Sequence, residues 1–221
     1  MVTLHHGDCL EFMRTLPAGS VDAVVTDPPY GIGYDPQQFK KWSGEQSSFQ
    51  RIYGDDKPFD PAPFLDMASI VVMWGANNYA DKLPIGGWVC WDKRTNEQAD
   101  RMFGAPFELA WMKGKPRFYM ARIQHGGVVN ADSRNGNNEP RVHPTQKPVA
   151  LMRWVLDKLN VPQGATVFDP FMGSGTTGVA CVQLRRKCRA MEIAPEYVAV
   201  ALQRWADATG KAPALIDTLD T

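Results

Sequence analysis

The chain is short of the features that would place it in several common protein classes. Its most apolar stretches, such as 21–25 and 70–74, are strand-sized and far below the roughly 20 residues that cross a bilayer. The opening residues MVTLHHGDCLEFM carry an acid at Asp8 and no basic start leading into a long apolar stretch, so they do not read as a secretory signal and a cytoplasmic location is expected. The four cysteines (Cys9, Cys90, Cys181, Cys188) form no C-x-x-C pair, which argues against a zinc cage or a disulfide framework. His5, His6, His125 and His143 show no metal-ligand spacing, so no metal is expected. There is no internal repeat, no endonuclease-like segment and no Gly-Lys-Ser/Thr of a triphosphate-binding loop. Net charge is also missing, with 24 basic and 24 acidic residues.

That neutrality is unevenly distributed. Between Lys113 and Lys147 seven basic residues (Lys113, Lys115, Arg117, Arg122, Arg134, Arg141, Lys147) face two acids, Asp132 and Glu139. A neutral protein can therefore present a basic face, and the six from Lys113 to Arg141 are candidate contacts to phosphate or guanine. Residues 113–142 mix these cations with Phe118 and Tyr119 and a Gly/Asn-rich tract, which suggests an inserted recognition lobe. Residues 31–60 are polar and without period, as expected of a functional loop.

At 221 residues and 44% apolar content, the remainder suits one domain with one substantial core. Strand patterns at 2–6, 21–26, 70–74, 88–91, 107–112, 165–168 and 188–193 alternate with helical ones at 9–16, 63–68, 77–82, 148–159, 176–186 and 195–208. The expected fold is therefore α/β, a single doubly wound, mostly parallel sheet whose ligands bind beyond the C-terminal ends of the strands.

The polar signatures fall at that edge. The apolar run ending at Thr26 stops at DPPY (Asp27, Pro28, Pro29, Tyr30), where two prolines forbid further ladder pairing and stiffen the turn. In FDPFMGSGTTGVA, Gly173 and Gly175 let backbone approach a ligand after the acid Asp169. Glu192 ends the next strand, 23 residues on, where a carboxylate can accept two ribose hydroxyls. Each has an ordinary structural reading as well: a tight proline turn, a glycine turn before a helix, a surface glutamate.

The chain resembles the amino-group DNA methyltransferases in three motifs that occur together: DPPY at 27–30, DPFMGSGT at 169–176 and HPTQKP at 143–148. The catalytic motif precedes the cofactor loop, which resembles the circularly permuted β-group with its recognition region between the two. The resemblance implies the Rossmann-like fold of S-adenosylmethionine-dependent methyltransferases, S-adenosyl-L-methionine as cofactor and DNA, taken as double-stranded, as partner. It implies that the Asp27 carboxylate and the Pro28 carbonyl accept the two protons of an exocyclic amine, that Pro29 stiffens the turn, and that Tyr30 stacks on a base flipped out of the duplex. The cofactor residues it implies are Asp8 with Cys9, Thr145, Lys147 near the methionine carboxylate, Asp169, Phe171, Gly173, Ser174, Gly175, Thr176 and Glu192. Asp8 also reads as a helix N-cap, and His143 as structural.

Asp at position 27 favours N6 of adenine; N4 of cytosine is the alternative, and an inactive module that binds cofactor and nucleic acid is a second one. A lobe of about 30 residues makes few base contacts, which points to a short target, help from 31–60, or a second subunit, so that a homodimer stays open. A restriction partner, if one exists, is a separate chain.

Overall fold

A computed structural model describes residues 1–35, 52–94, 105–123, 142–143 and 145–216. Eight strands form one sheet: β1 (Val2–His6), β2 (Ala23–Thr26), β3 (Ile70–Trp74), β4 (Gly87–Asp92), β5 (Phe107–Met112), β6 (Phe118–Arg122), β7 (Thr166–Asp169) and β8 (Lys187–Glu192). Their order is β1-β8-β7-β2-β3-β5-β4-β6. All run in one direction except β5, which is antiparallel to both neighbours, β3 and β4.

The central strands β2 and β3 are apolar on both sides, and their residues alternate between two cores. Ala23, Val25, Val72 and Trp74 join one cluster with Leu151, Val155, Val179, Ala180, Ala201 and Trp205. Those side chains come from α3 (Val149–Lys158), α4 (Thr176–Gln183) and α5 (Pro195–Thr209). Val24, Val71 and Met73 join the other cluster with Cys9, Phe64 and Tyr79, from α1 (Cys9–Met13), α2 (Ala62–Leu65) and a 3₁₀ helix, Ala76–Lys82. Helices on both faces explain why these strands lack polar alternation.

From β7 the chain passes through α4 to β8 on one side of the sheet, and from β2 it proceeds to β3 on the other. Strand order thus reverses between β7 and β2, and a crevice opens beyond the carboxyl ends of such a pair. Asp169 ends β7 and Asp27 follows β2.

Two expectations shift. The helices expected at 9–16, 63–68 and 176–186 end at Met13, Leu65 and Gln183. More consequentially, within the stretch 113–142 read as an inserted lobe, Phe118–Arg122 is the edge strand of the main sheet, paired in parallel with β4. Its burial alternates, with Tyr119 and Ala121 inward and Phe118, Met120 and Arg122 outward. That alternation is the mark of a strand with one face toward solvent, hidden in the sequence by the surrounding cations. Residues 124–141 lie outside the described residues.

Candidate active site

A cavity of about 300 Å³ occupies the crevice. Of the sequence candidates, Asp8, Cys9, Asp27, Pro28, Pro29, Tyr30, Thr145, Lys147, Asp169, Phe171, Gly173, Ser174, Thr176 and Glu192 all line it. Gly175 does not. It adopts φ +85, N-caps α4 and packs against α5, where an added Cβ would lie 2.9 Å from the Ala201 Cβ and the Trp205 Nε1. Its lack of a side chain serves helix packing, with the Trp205 indole donating to its carbonyl at 2.8 Å.

At one end of the cavity both Asp27 oxygens are engaged. The Tyr30 hydroxyl donates to Oδ1 at 2.5 Å, and the Lys147 ammonium to Oδ2 at 2.5 Å. Each carboxylate oxygen has a second lone-pair direction, so room for another donor remains. Burial pushes the Asp27 carboxyl up from its ordinary range and nearby Glu108 adds to that, while Lys147 and the hydrogen bonds pull it down. The Tyr30 ring packs against Gly75, which has φ +65, and a Cβ there would overlap the ring. The short turn after β3 is thus shaped around Tyr30. Burial opposes a charge on Lys147, but Asp27 and Glu108 outweigh it and keep the ammonium protonated. Lys147, expected near a cofactor carboxylate, pairs with two protein carboxylates, Asp27 and Glu108 Oε2 at 3.0 Å.

At the other end Thr26 Oγ donates to Asp169 Oδ1 at 2.6 Å, joining the ends of β2 and β7. Phe171 N also donates to that oxygen, at 3.2 Å. Burial pushes the Asp169 carboxyl up to about 6 despite these bonds. Glu192 accepts from Gly173 N at 2.7 Å and from Ala194 N at 2.8 Å, one bond to each oxygen. Its carboxyl is also raised by burial. The Asp8 side chain caps α1, accepting from Leu10 N and Glu11 N, so its N-cap reading holds while it lines the cavity. Burial, with Asp8 beside it, pushes the Cys9 thiol up to about 12, which leaves it an inert wall. Arg204 of α5 braces the glycine loop, donating to the Ser174 carbonyl at 2.6 Å and to Thr176 Oγ at 3.1 Å. The His143 ring packs tilted against Tyr197, centroids 4.3 Å apart, and accepts from Thr145 N at 3.2 Å.

A family model for DNA methylases, N6_N4_Mtase, matches residues 92–203, half of the chain. The chain belongs to the DNA methylase family. The methylase is 28% identical over 214 residues to the putative methylase YubD of Escherichia coli K12, covering 90% of this chain and 88% of that one. It is 25% identical over 255 residues to the DNA adenine methyltransferase YhdJ of the same organism, at 91% and 82% coverage. Among solved structures it superposes on the M1.HpyAVI–SAM complex with a TM-score of 0.55 at 22% identity, covering 92% of this chain and 98% of that one. For the cytosine-N4-specific PvuII DNA methyltransferase the TM-score is 0.55 at 16% identity, over 95% and 91%. The fold is that of the S-adenosylmethionine-dependent methyltransferases, with the permuted order of the amino class.

Among the described residues the basic candidates are not gathered at the cavity. Because β5 is reversed, its far end and the starts of β4 and β6 lie at the opposite edge of the sheet, and Lys113, Lys115 and Arg117 sit there. Lys113 pairs with Asp66 at 3.0 Å. Arg122, at the end of β6 beside Asp92, shares the cavity's edge; Arg134 and Arg141 lie outside the described residues. The sequence reading also missed three residues. Glu108, the second residue of β5, stands at the active edge, Gly75 seats Tyr30, and Asp55 accepts from Gly31 N at 2.8 Å and Tyr34 N at 2.6 Å, pinning the backbone that follows DPPY. Gly75 lay in WGANNY at a strand end and could have been flagged as a positive-φ turn. Nothing local marks Glu108 or Asp55. No cluster of three His, Cys, Asp or Glu able to hold a metal occurs among the described residues, and no helix there is long and apolar enough to cross a membrane.

Proposed function

We propose that the methylase transfers the methyl group of S-adenosyl-L-methionine to N6 of adenine in double-stranded DNA, acting on a base flipped into the cavity. The observation that carries this is the placement of Asp27-Pro28-Pro29-Tyr30 beyond β2, tied through Thr26 to Asp169 at the point where strand order reverses.

The cavity suits the cofactor. Its volume is at the low end of sites that enclose a drug-sized ligand, and it has an apolar wall at Phe171 and Met172. Glu192 keeps a free lone-pair direction on each oxygen for ribose hydroxyls, and Asp8 stands ready for an adenine amine. When bound, S-adenosylmethionine supplies an electrophilic methyl carbon. The protein's part is orientation. An aromatic amine is a poor nucleophile because its lone pair is spread into the ring. Asp27 and the Pro28 carbonyl, held by the two prolines, accept its N–H bonds and favour a pyramidal nitrogen. Tyr30, braced on Gly75, offers the base an aromatic surface. The proton left on the product nitrogen passes to Asp27 or to water.

The chain then reads as one methyltransferase domain, with 31–60 a functional loop and 113–142, Arg122 included, contributing to target recognition, alone or in a homodimer. The aspartate of the motif supports adenine, as does the likeness to an adenine methyltransferase. N4 of cytosine is the second reading, supported by the likeness to the PvuII enzyme, since both amines pose the same chemical problem. Incubating the protein with mixed-sequence DNA and labelled cofactor, then digesting to nucleosides, separates them: label is expected in N6-methyladenine, and label in N4-methylcytosine alone overturns the first choice. Cofactor binding with no transfer to any DNA would instead mark an inactive module.

A further inference from the structure

The geometry around Asp27 extends beyond the motif. Lys147 bridges Asp27 to Glu108, and Glu108 in turn pairs with Lys93, just past the end of β4. Four charges of alternating sign therefore run from the reaction centre to the end of β4. The Lys147 side chain is 6% exposed, Glu108 25% and Lys93 17%, so solvent screens the inner contacts weakly. The other titratable groups facing Asp27 are Tyr30 on its own turn, Tyr79 of the 3₁₀ helix and Asp169 at the end of β7.

Glu108 reaches this place because β5 is reversed. In the parallel strands the active edge is reached by the last residues, but β5 arrives there with its first ones. Neither Glu108 nor Lys93 lines the cavity, so neither touches a ligand in it.

We propose that Glu108 is a positioning residue for methyl transfer, which shares the Lys147 ammonium with Asp27 and so keeps the catalytic carboxylate from being neutralised by a full ion pair. The inference rests on the reading of Asp27 as the amine's acceptor. With Glu108 intact the inner three groups carry one net negative charge, and Asp27 remains a strong acceptor held in place. Without the Glu108 carboxylate the ammonium belongs to Asp27 alone and competes with the substrate amine for it. Lys93 acts in the opposite sense: it draws on Glu108 and loosens the hold of Glu108 on Lys147.

Two substitutions therefore move the same titration in opposite directions. Glu108→Gln lowers the pH at which Asp27 protonates, by about one pH unit for a charge at this range, and lowers kcat by about tenfold or more with the KM for S-adenosylmethionine little changed. Lys93→Met raises that pH. Glu108→Asp, which keeps the charge, restores the titration toward wild type. The readouts are the acid limb of the kcat/KM profile and, independent of turnover, a ¹³C-carboxyl titration of Asp27 in cofactor-free protein, with a thermal melt for each variant. Shifts of opposite sign support the proposal. An unmoved titration in folded Glu108→Gln protein, a Glu108→Asp titration shifted as far as that of Glu108→Gln, or shifts of the same sign in Glu108→Gln and Lys93→Met, overturn it. If Glu108→Gln does not fold, the sign of the Lys93→Met shift decides. Asp27→Asn is the control for the underlying reading: if it keeps wild-type turnover, the assignment of Asp27 fails, whereas the ¹³C titration still tests the charge coupling.

Discussion

Asp169 shows how a single residue can be kept at the expense of stability. Its carboxyl is raised to about 6 from an ordinary 3.8, chiefly by burial. Between those values the folded state binds more protons than the unfolded one, so stability falls as pH rises through that window and the cost is complete above about 6. Asp169→Asn keeps an Oδ1 acceptor for Thr26 and Phe171 and removes the charge. We expect it to stabilise the fold by about 1–2 kcal/mol at pH 8, allowing for about 1 kcal/mol lost at Thr177. The gain should vanish as pH falls to about 4, and melting curves across pH 4–8 check both ends. Asp27→Ala is expected to abolish transfer while leaving cofactor binding within about twofold, by equilibrium dialysis and label transfer; equal loss of both would break the division of labour between the two ends of the cavity. Gly75→Ala meets a positive φ and the Tyr30 ring together. It should destabilise the fold by about 1–3 kcal/mol and lower kcat more than cofactor affinity.

At the scale of elements, the reversal of β5 decides which cations can serve DNA near the cavity. Lys115 and Arg117 stand at the far edge and Arg122 at the near one. Arg122→Ala is therefore expected to reduce the salt slope of DNA binding by about one, while Lys115→Ala with Arg117→Ala leaves it unchanged in the same titration. This is also where legibility in the sequence stopped. The strands at 2–6, 70–74 and 107–112 were readable to the residue, because short β-prone runs bounded on one side by Gly7, Gly75 or Pro106 leave few alternatives. DPPY, Asp169 and Glu192 were readable because each stands at the end of such a run. The direction of β5 was not, since an amphipathic run carries no sign of which way it will point, and with it went Glu108 and the placement of Lys113, Lys115 and Arg117. Asp55 was hidden for a related reason. It acts on backbone N–H groups more than 20 residues away, and any residue supplies such a donor.

For the molecule as a whole, stability should be graded across the sheet. The middle strands β7, β2 and β3 are covered on both faces, whereas β6 is an edge with Phe118 and Met120 exposed. Native-state hydrogen exchange should find β2 and β3 amides opening only with global unfolding, and β6 amides through local opening at lower cost. Slow exchange throughout β6 would contradict that gradient. The other edge carries a different consequence. Among the described residues β1 pairs only with β8, with Thr3 bonded to the Cys188 carbonyl 185 residues away. At typical rates of synthesis, β1 leaves the ribosome roughly 10 to 40 seconds before its partner. For most of that interval the nascent chain carries Asp8, Asp27 and Tyr30 but not Gly173 or Glu192, so the cavity gains its second side only when synthesis is nearly complete.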